Sequence, residues 1–275
     1  MRISDAIRGA AAVLVAAAMP AFADGSPTPS GEPAPRRVVS MNLCLDQIAM
    51  RLAAPGQLLS VSALTADPDM SPLADRTAPY RLNHGRAEEI YLMRPDLVIA
   101  GSWISPATLS MMRNLGIRVE VLPPADSLEA IGEQIDRIGD MLGREDQAQW
   151  LRRDFESRLA ALRQPPERGE AAIYYANGYT SGGKTLAGAI LRAAGYDNIA
   201  TEYGIDDTRV LPLEKLVMAD PDRVVSGSHM PGRSQGEAIM AHPALIAVAP
   251  DARAETDRDW VCGTPDVLDA IAGLE

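Results

Sequence analysis

Apolar and polar positions along this chain follow two rhythms that replace one another. Val38-Val39-Ser40-Met41 is a short run of the kind a buried strand shows, and from Asp46 to Ala54 the apolar residues recur at helical spacing. The exchange then repeats. Leu58–Ala63 reads as a strand, Glu88–Arg94 as a helix stopped by Pro95, and Leu97–Ala100 as a strand. Behind the start signal Ser105-Pro106 comes a helix that Gly116 ends, then the strand Ile117–Leu122. Short apolar strands separated by helices predict a parallel α/β sheet. A helical stretch interrupts the alternation. Leu128, Ile131, Ile135, Ile138 and Leu142 share one face, with Asp126 and Glu129 spaced as a capping box. After Gly143 a second helix, Glu145 to Arg163, runs until Pro165-Pro166. It would reach about 28 Å, enough to bridge two lobes. The alternation resumes at Ala171–Asn177 and ends on a helix beginning near Pro265.

One segment occurs twice. Residues 87–102 read AEEIYLMRPDLVIAGS and residues 213–228 read LEKLVMADPDRVVSGS, 126 positions apart with no gap. Any helix–turn–strand unit supplies the Pro-Asp pair and the apolar strand. Packing does not force Glu88 and Glu214 at the helix starts, or Gly-Ser past both strand ends, so duplication is the better reading. Two matched halves direct equivalent strand ends toward one cleft, the place where open parallel sheets bind ligands. Trp103 and His229, each following Gly-Ser, then approach a ligand from opposite lobes. Asn42 and Asn177, each after the first strand of a lobe, do likewise. The expected layout is a first lobe over 37–124, a helical region over 125–166 and a second lobe over 167–275.

Composition adds a location and removes some partners. Arg2 and Arg8, the apolar run Ala10–Ala18 and Ala21-Phe22-Ala23 make residues 1–23 a cleavable signal peptide, too short in its apolar part to span a bilayer. Residues 24–36, rich in Pro, Ser and Gly, are expected to be a disordered tether. The chain carries a net charge of −11, and −12 once Arg2, Asp5 and Arg8 are removed. No basic cluster offsets that acidity, which argues against nucleic acid and anionic membrane as partners. The two cysteines, Cys44 and Cys262, enter an oxidising compartment after export, where a disulfide is the expected outcome. The alternative is a thiolate pair facing a soft metal or the ligand.

The helix carrying Glu88 followed by Arg94-Pro95-Asp96-Leu97-Val98-Ile99-Ala100-Gly101, its second-lobe echo and the bridging helix together resemble the class III periplasmic solute-binding proteins. These serve ABC importers for vitamin B12, haem and ferric siderophores. The resemblance spans residues 37–275. It implies two Rossmann-like α/β lobes with parallel sheets, joined by a single long bridging helix, with the ligand cleft between them. It also implies a monomeric periplasmic carrier with no catalytic activity and no cofactor. Its partners would be a small-molecule metal chelate (cobalamin, haem or a ferric siderophore) and the importer's permease in the inner membrane. One surface glutamate per lobe would dock onto permease arginines. Counting seven residues back from each Pro-Asp pair gives Glu88 and Glu214, with Glu89 adjacent. Two carboxylates at a fixed separation make a bivalent contact that selects orientation.

A site for a flat chelate needs apolar faces and a few polar anchors. Trp103, Tyr179 and Trp260 are the aromatic candidates, and Trp150 is assigned to packing. The segment from Tyr80 to Gly85 precedes the Glu88 helix on the cleft rim, where Arg81 would pair with a ligand carboxylate and Tyr80 would flank it. His84 and His229 fall in cleft loops on opposite lobes, with ligation of a metal centre left open, whereas His242 before Pro243 is read as structural. One motif points to a different class. Gly178–Thr185 (GYTSGGKT) matches the phosphate-binding pattern G-x-x-x-x-G-K-[ST] between a strand and a helix, so the runner-up is a nucleotide-dependent enzyme. The exported compartment offers no ATP, and no strand ends in a clear Mg²⁺-holding Asp. The match is therefore read as chance, its backbone amides still free to meet an anionic ligand group.

Overall fold

In the computed structural model, which describes residues 33–227, 235–248, 250 and 253–275, the buried triplet Val38–Ser40 (β1) opens a parallel sheet. Asn42 caps the next helix, Leu43–Leu52 (α1), its Oδ1 accepting from the Cys44 and Leu45 N–H groups. Leu58–Ser62 (β2), Arg81–Asn83 (β3), helix Ala87–Leu92 (α2), Leu97–Gly101 (β4), helix Pro106–Asn114 (α3) and Val119–Leu122 (β5) complete the first half. Its strands lie in the order β3-β2-β1-β4-β5, every pair parallel. The expected signal peptide and the expected tether up to residue 32 lie outside the described residues, as does His229. The last residues of the expected tether are held: Pro35 O accepts from Gln57 Nε2 and Arg36 N–H donates to Asp96.

The helical region between the halves carries the two expected helices, Leu128–Leu142 (α4) and Glu145–Leu162 (α5), folded against each other. The cap of α4 is Ser127, whose Oγ accepts from Ala130 N–H, not the Asp126–Glu129 box. In chain order α4 packs on α1, and later on a helix of the second half. That half runs Glu170–Tyr174 (β6), Tyr179–Ser181 (β7), helix Leu186–Ala193 (α6), Asp197–Asn198 (β8), Thr208–Val210 (β9), helix Leu213–Ala219 (α7) and Arg223–Gly227 (β10). Helix Pro243–Ala247 (α8), Arg253–Thr256 (β11) and helix Val267–Ala272 (α9) follow. Its parallel sheet has the order β11-β10-β6-β8, matching β5-β4-β1-β2. An antiparallel ribbon of β7 and β9 is an addition peculiar to this half among the described residues.

The internal repeat survives to the level of backbone angles. Strands β4 and β10 have identical bounds in the 126-residue register, and α2 and α7 begin at equivalent residues. Arg94 and Asp220, also equivalent, both leave their helices with positive φ, 48° and 46°. The repeated Asp has a packing role: Asp96 accepts from the backbone N–H groups of Arg36 and Arg37 before β1, and Asp222 from that of Glu170 at the start of β6.

Neighbouring strand residues point to opposite faces and so feed different cores. Val39, Val98 and Ala100 pack under α2 and α3, and Ala172, Tyr174 and Val224 under α7 and α8. The other faces meet in one continuous apolar cluster. It runs from Ile99 and Ile48 through Ile131, Ile135 and Phe155 to Ile173, Leu191 and Ile271. Helix α4 touches both α1 and α6, and α5 packs on α9. Residues 34–275 accordingly form one unit.

Candidate functional site

The carboxyl ends of β1, β4 and β5 meet the loops before α6 and after β11 across a cleft of about 350 Å³. From the first lobe come Asn42, Gly101, Ser102 and Trp103. The segment Pro123–Asp126 and the α4 residue Gln134 form the floor between the lobes. From the second come Ser181, Thr185, Leu186, Ala187, Trp260 and Val261. The two indoles differ in setting: Trp103 is 87% exposed, whereas Trp260 is half-buried against the shared core.

Local structure fixes several of these groups. The Cβ of any larger residue at Gly101 would lie 2.7 Å from Asn42 Nδ2, so the glycine leaves the room that the capping amide occupies. Ser102 is tied to β5 through N–H and Oγ–H donation to Leu122 O. Gln134 Nε2 donates to Pro123 O at 2.8 Å, setting the floor segment. The polar side chains of the lining are thus neutral amides and hydroxyls with one exposed carboxylate, Asp126. Beside Trp260, Asp259 is pushed up to about 6 by burial and then by the nearby Asp257, Asp266 and Asp269 carboxylates.

One side of the cleft is fastened. Cys44 and Cys262 form a disulfide, Thr264 Oγ1 lies 3.3 Å from Gln47 Oε1, and Arg51 Nη2 grips both Asp266 oxygens at 2.7 and 2.8 Å. Residues 44, 47 and 51 lie on one face of α1, and 262, 264 and 266 alternate along the facing segment. Covalent, hydrogen-bonded and ionic rungs therefore join the lobes in a single seam. The Arg51–Asp266 pair, one guanidinium nitrogen shared by both carboxylate oxygens, is mostly shielded from water, which strengthens a charge-assisted contact.

The other candidates fall elsewhere. Tyr80, Arg81 and His84 lie at the entry, the first residue and the exit of the edge strand β3 and are not in the cleft lining. Tyr80 leans on the core, Arg81 is exposed, and the His84 N–H and Nδ1 both meet Glu89. Asn177 adopts φ 58° against Gly236, and Tyr179 opens the β7–β9 ribbon, neither in the lining. His242 caps α8 through Nδ1, and Trp150 is exposed, not packed. Glu88 and Glu214 are exposed at the starts of α2 and α7, and the engagement of Glu89 by His84 leaves Glu88 as the outward group.

The phosphate-loop reading fails on its hydrogen bonds. Gly182 and Lys184 N–H donate to Asp207 O and Asp206 O, and the Lys184 ammonium pairs with Asp206 at 2.7 Å. A Cβ at Gly182 would come within 2.1 Å of Ile205 O, so the glycine permits backbone packing, not phosphate approach. Thr185 caps α6, accepting from Gly188 N–H. Those two amides are likewise closed to an anionic ligand group. Sequence reading missed Ser181, Thr185, Gln134 and the Pro123–Asp126 floor. The motif match drew attention to the loop for the wrong chemistry, and nothing in the Pro-Pro segment marks it as lining. Among the described residues no group of three His, Cys, Asp or Glu side chains is placed to hold a metal. A second concavity, between α4 and α5, has polar walls already paired as Arg152–Glu156 and Arg163–Glu129.

Over residues 38–256 the chain matches the family described as periplasmic binding protein. Proteins named cobalamin-binding protein from two strains of Halobacterium salinarum are 28% identical over 199 residues, 70% of this chain and 54% of theirs. The chain therefore spans about half the length of the curated relatives it matches. A periplasmic haem-binding protein from Pseudomonas aeruginosa superposes with a TM-score of 0.68 at 24% identity, covering 87% of this chain and 91% of that one. A periplasmic haem-binding protein of Vibrio cholerae gives 0.72 at 21% identity, over 86% and 96% of the two chains. The vitamin B12-binding protein of the same organism gives 0.64 at 22%, over 88% and 92%. At these identities the solved structures establish a common fold.

Proposed function

This chain belongs to the periplasmic binding protein family, and on that premise we propose that it is the substrate-binding component of an ABC importer. It is exported, holds a metal chelate in the interlobe cleft as a monomer and without catalysis, and presents it to an inner-membrane permease through Glu88 and Glu214. The observation that carries this reading is the pair Trp103 and Trp260, which line one cleft from opposite lobes. Two indoles facing a common gap offer flat apolar surface for a macrocycle, and their different burial makes one an anchor and the other an accessible flap. The chelate is larger than the cleft and lodges one edge there, the rest standing at the open mouth.

Within that class the ligand we favour is a corrinoid. Neutral amide and hydroxyl groups with one carboxylate suit a ligand fringed with carboxamides better than one fringed with carboxylates. The relatives named cobalamin-binding protein support the same choice. Haem is the second reading, favoured by the names of four of the similar solved structures. Titration of tryptophan fluorescence with cyanocobalamin, haemin and a ferric hydroxamate separates them. Cyanocobalamin is expected to bind most tightly. Tighter haemin binding reverses the ligand assignment, and no response to any of the three removes the chelate reading. Charge reversal at Glu88 and Glu214 together is expected to abolish uptake and leave ligand affinity intact. A loss of affinity would assign them to the cleft or the fold instead.

A further inference from the structure

Large apolar side chains exposed on the surface are scattered over both lobes, with one regularity. Tyr91 and Leu92 at the end of α2 are 50% and 79% exposed, and their counterparts 126 residues on, Val217 and Met218 in α7, are 39% and 83% exposed. At no other repeat position among the described residues are both members large, apolar and exposed. Leu64 corresponds to the buried Ile190, Met111 to Glu237, and Leu115 to Ala241. Residues 88, 91 and 92 stand at i, i+3 and i+4, as do 214, 217 and 218, so each apolar pair shares a helix face with one exposed glutamate. Neither glutamate forms an ion pair among the described residues.

Packing does not account for this pattern. Each helix already buries its inward residues, Ala87 and Ile90 in α2 and Leu216 in α7. The outward residues are free to be polar, and twice in register they are not. On the first lobe the patch continues over Pro95 and Leu115, around a shallow depression that Leu92 and Arg94 border.

We propose that each lobe docks through a compound patch, a carboxylate with an apolar pair one turn further along, and that its occupant is the importer permease. The inference rests on the importer reading and extends it. The acidic member requires a lysine or arginine opposite, and the apolar pair requires a recess that sheds water beside that cation. Because the same composition occurs twice in the register of an internal repeat, the partner presents the same recess twice, as a membrane protein with a twofold axis does. A second copy of this chain is a poor occupant, since glutamate would face glutamate between molecules that each carry a net charge of −11. The carboxylates steer and orient the complex, and the apolar pairs set its lifetime.

The test measures binding of the full mature chain to the permease in lipid nanodiscs, with and without cyanocobalamin. Three variants are compared: Leu92→Ser with Met218→Ser, Glu88→Gln with Glu214→Gln, and Trp150→Ser. The last removes an exposed apolar residue outside the repeat register. Thermal melts and cyanocobalamin titration verify fold and cleft. The Leu92/Met218 variant is expected to dock about tenfold more weakly or worse, through faster dissociation, with ligand affinity and melting unchanged and Trp150→Ser docking as the parent does. If the Leu92/Met218 variant docks normally while the glutamate variant fails, the apolar inference falls and the importer reading stands. If both dock normally, docking through these helices falls altogether. If the Leu92/Met218 change alters self-association in sedimentation instead of docking, the occupant is a second copy and the proposal is overturned.

Discussion

Asp46 sits fully buried in the first turn of α1, its Oδ2 accepting from Ser62 N–H at 2.7 Å and Thr65 Oγ1–H at 2.6 Å. Burial outweighs those bonds and pushes its carboxyl up to about 6. The unfolded chain gives up this proton near pH 4 and the folded protein only near pH 6. The site's contribution to stability is therefore full below about pH 4 and lost as pH rises through 6. Asp46→Asn is expected to melt with the parent at pH 4 and above it at pH 7.5, by no more than roughly 2–3 kcal/mol. Equal melting at pH 7.5 would count against it. The two indoles give a second contrast. Trp103→Ala, at an exposed position, should weaken chelate binding about tenfold or more and leave the melting temperature unmoved. Trp260→Ala should lower both, as binding isotherms and melts on the same samples will show. Position relative to the repeat made Trp103 and Asn42 legible in the sequence. Tyr80, Arg81 and His84 misled because proximity to the Glu88 helix says nothing about which side of an edge strand faces the gap.

Helix α1 shows what an element can and cannot disclose in its sequence. Its apolar periodicity gave its existence, and the strand–helix alternation gave parallel sheet in each half, whereas the short strands β3, β8 and β11 carry too little apolar pattern to be read. The seam it makes with residues 262–266 was legible only as a cysteine pair. Gln47, Arg51, Thr264 and Asp266 meet partners more than 200 residues away, and no local pattern encodes such a contact. The β7–β9 ribbon escaped for a related reason, because three-residue strands paired across a helix carry too little pattern to register. Joining residues 218 apart, the disulfide constrains the unfolded chain by roughly 5 kcal/mol in the chain-entropy account. Cys44→Ser with Cys262→Ser is expected to lower the melting temperature by about 10 °C or more. A change of a degree or two would mean that the unfolded chain stays compact without the bond.

At the scale of the molecule the two halves share a core instead of owning one each. Ile131, Ile135 and Phe155 belong to one cluster with residues of both, and α4 packs on a helix of each. Heat should therefore unfold both halves together, with calorimetric and van't Hoff enthalpies in agreement. Two separated transitions would show that the shared cluster does not couple them. The duplication was readable from the chain, whereas the fusion of the cores was not, since a buried isoleucine on α4 looks the same whichever sheet it covers. The bond between Cys44 and Cys262 has one more effect, on how the protein withstands a protease. A protease that cuts once anywhere between those residues separates no fragment: the nicked protein runs as a single species on a non-reducing gel and parts into two only when thiol is added. Damage to a surface loop can thus leave the pieces associated until the disulfide itself is reduced.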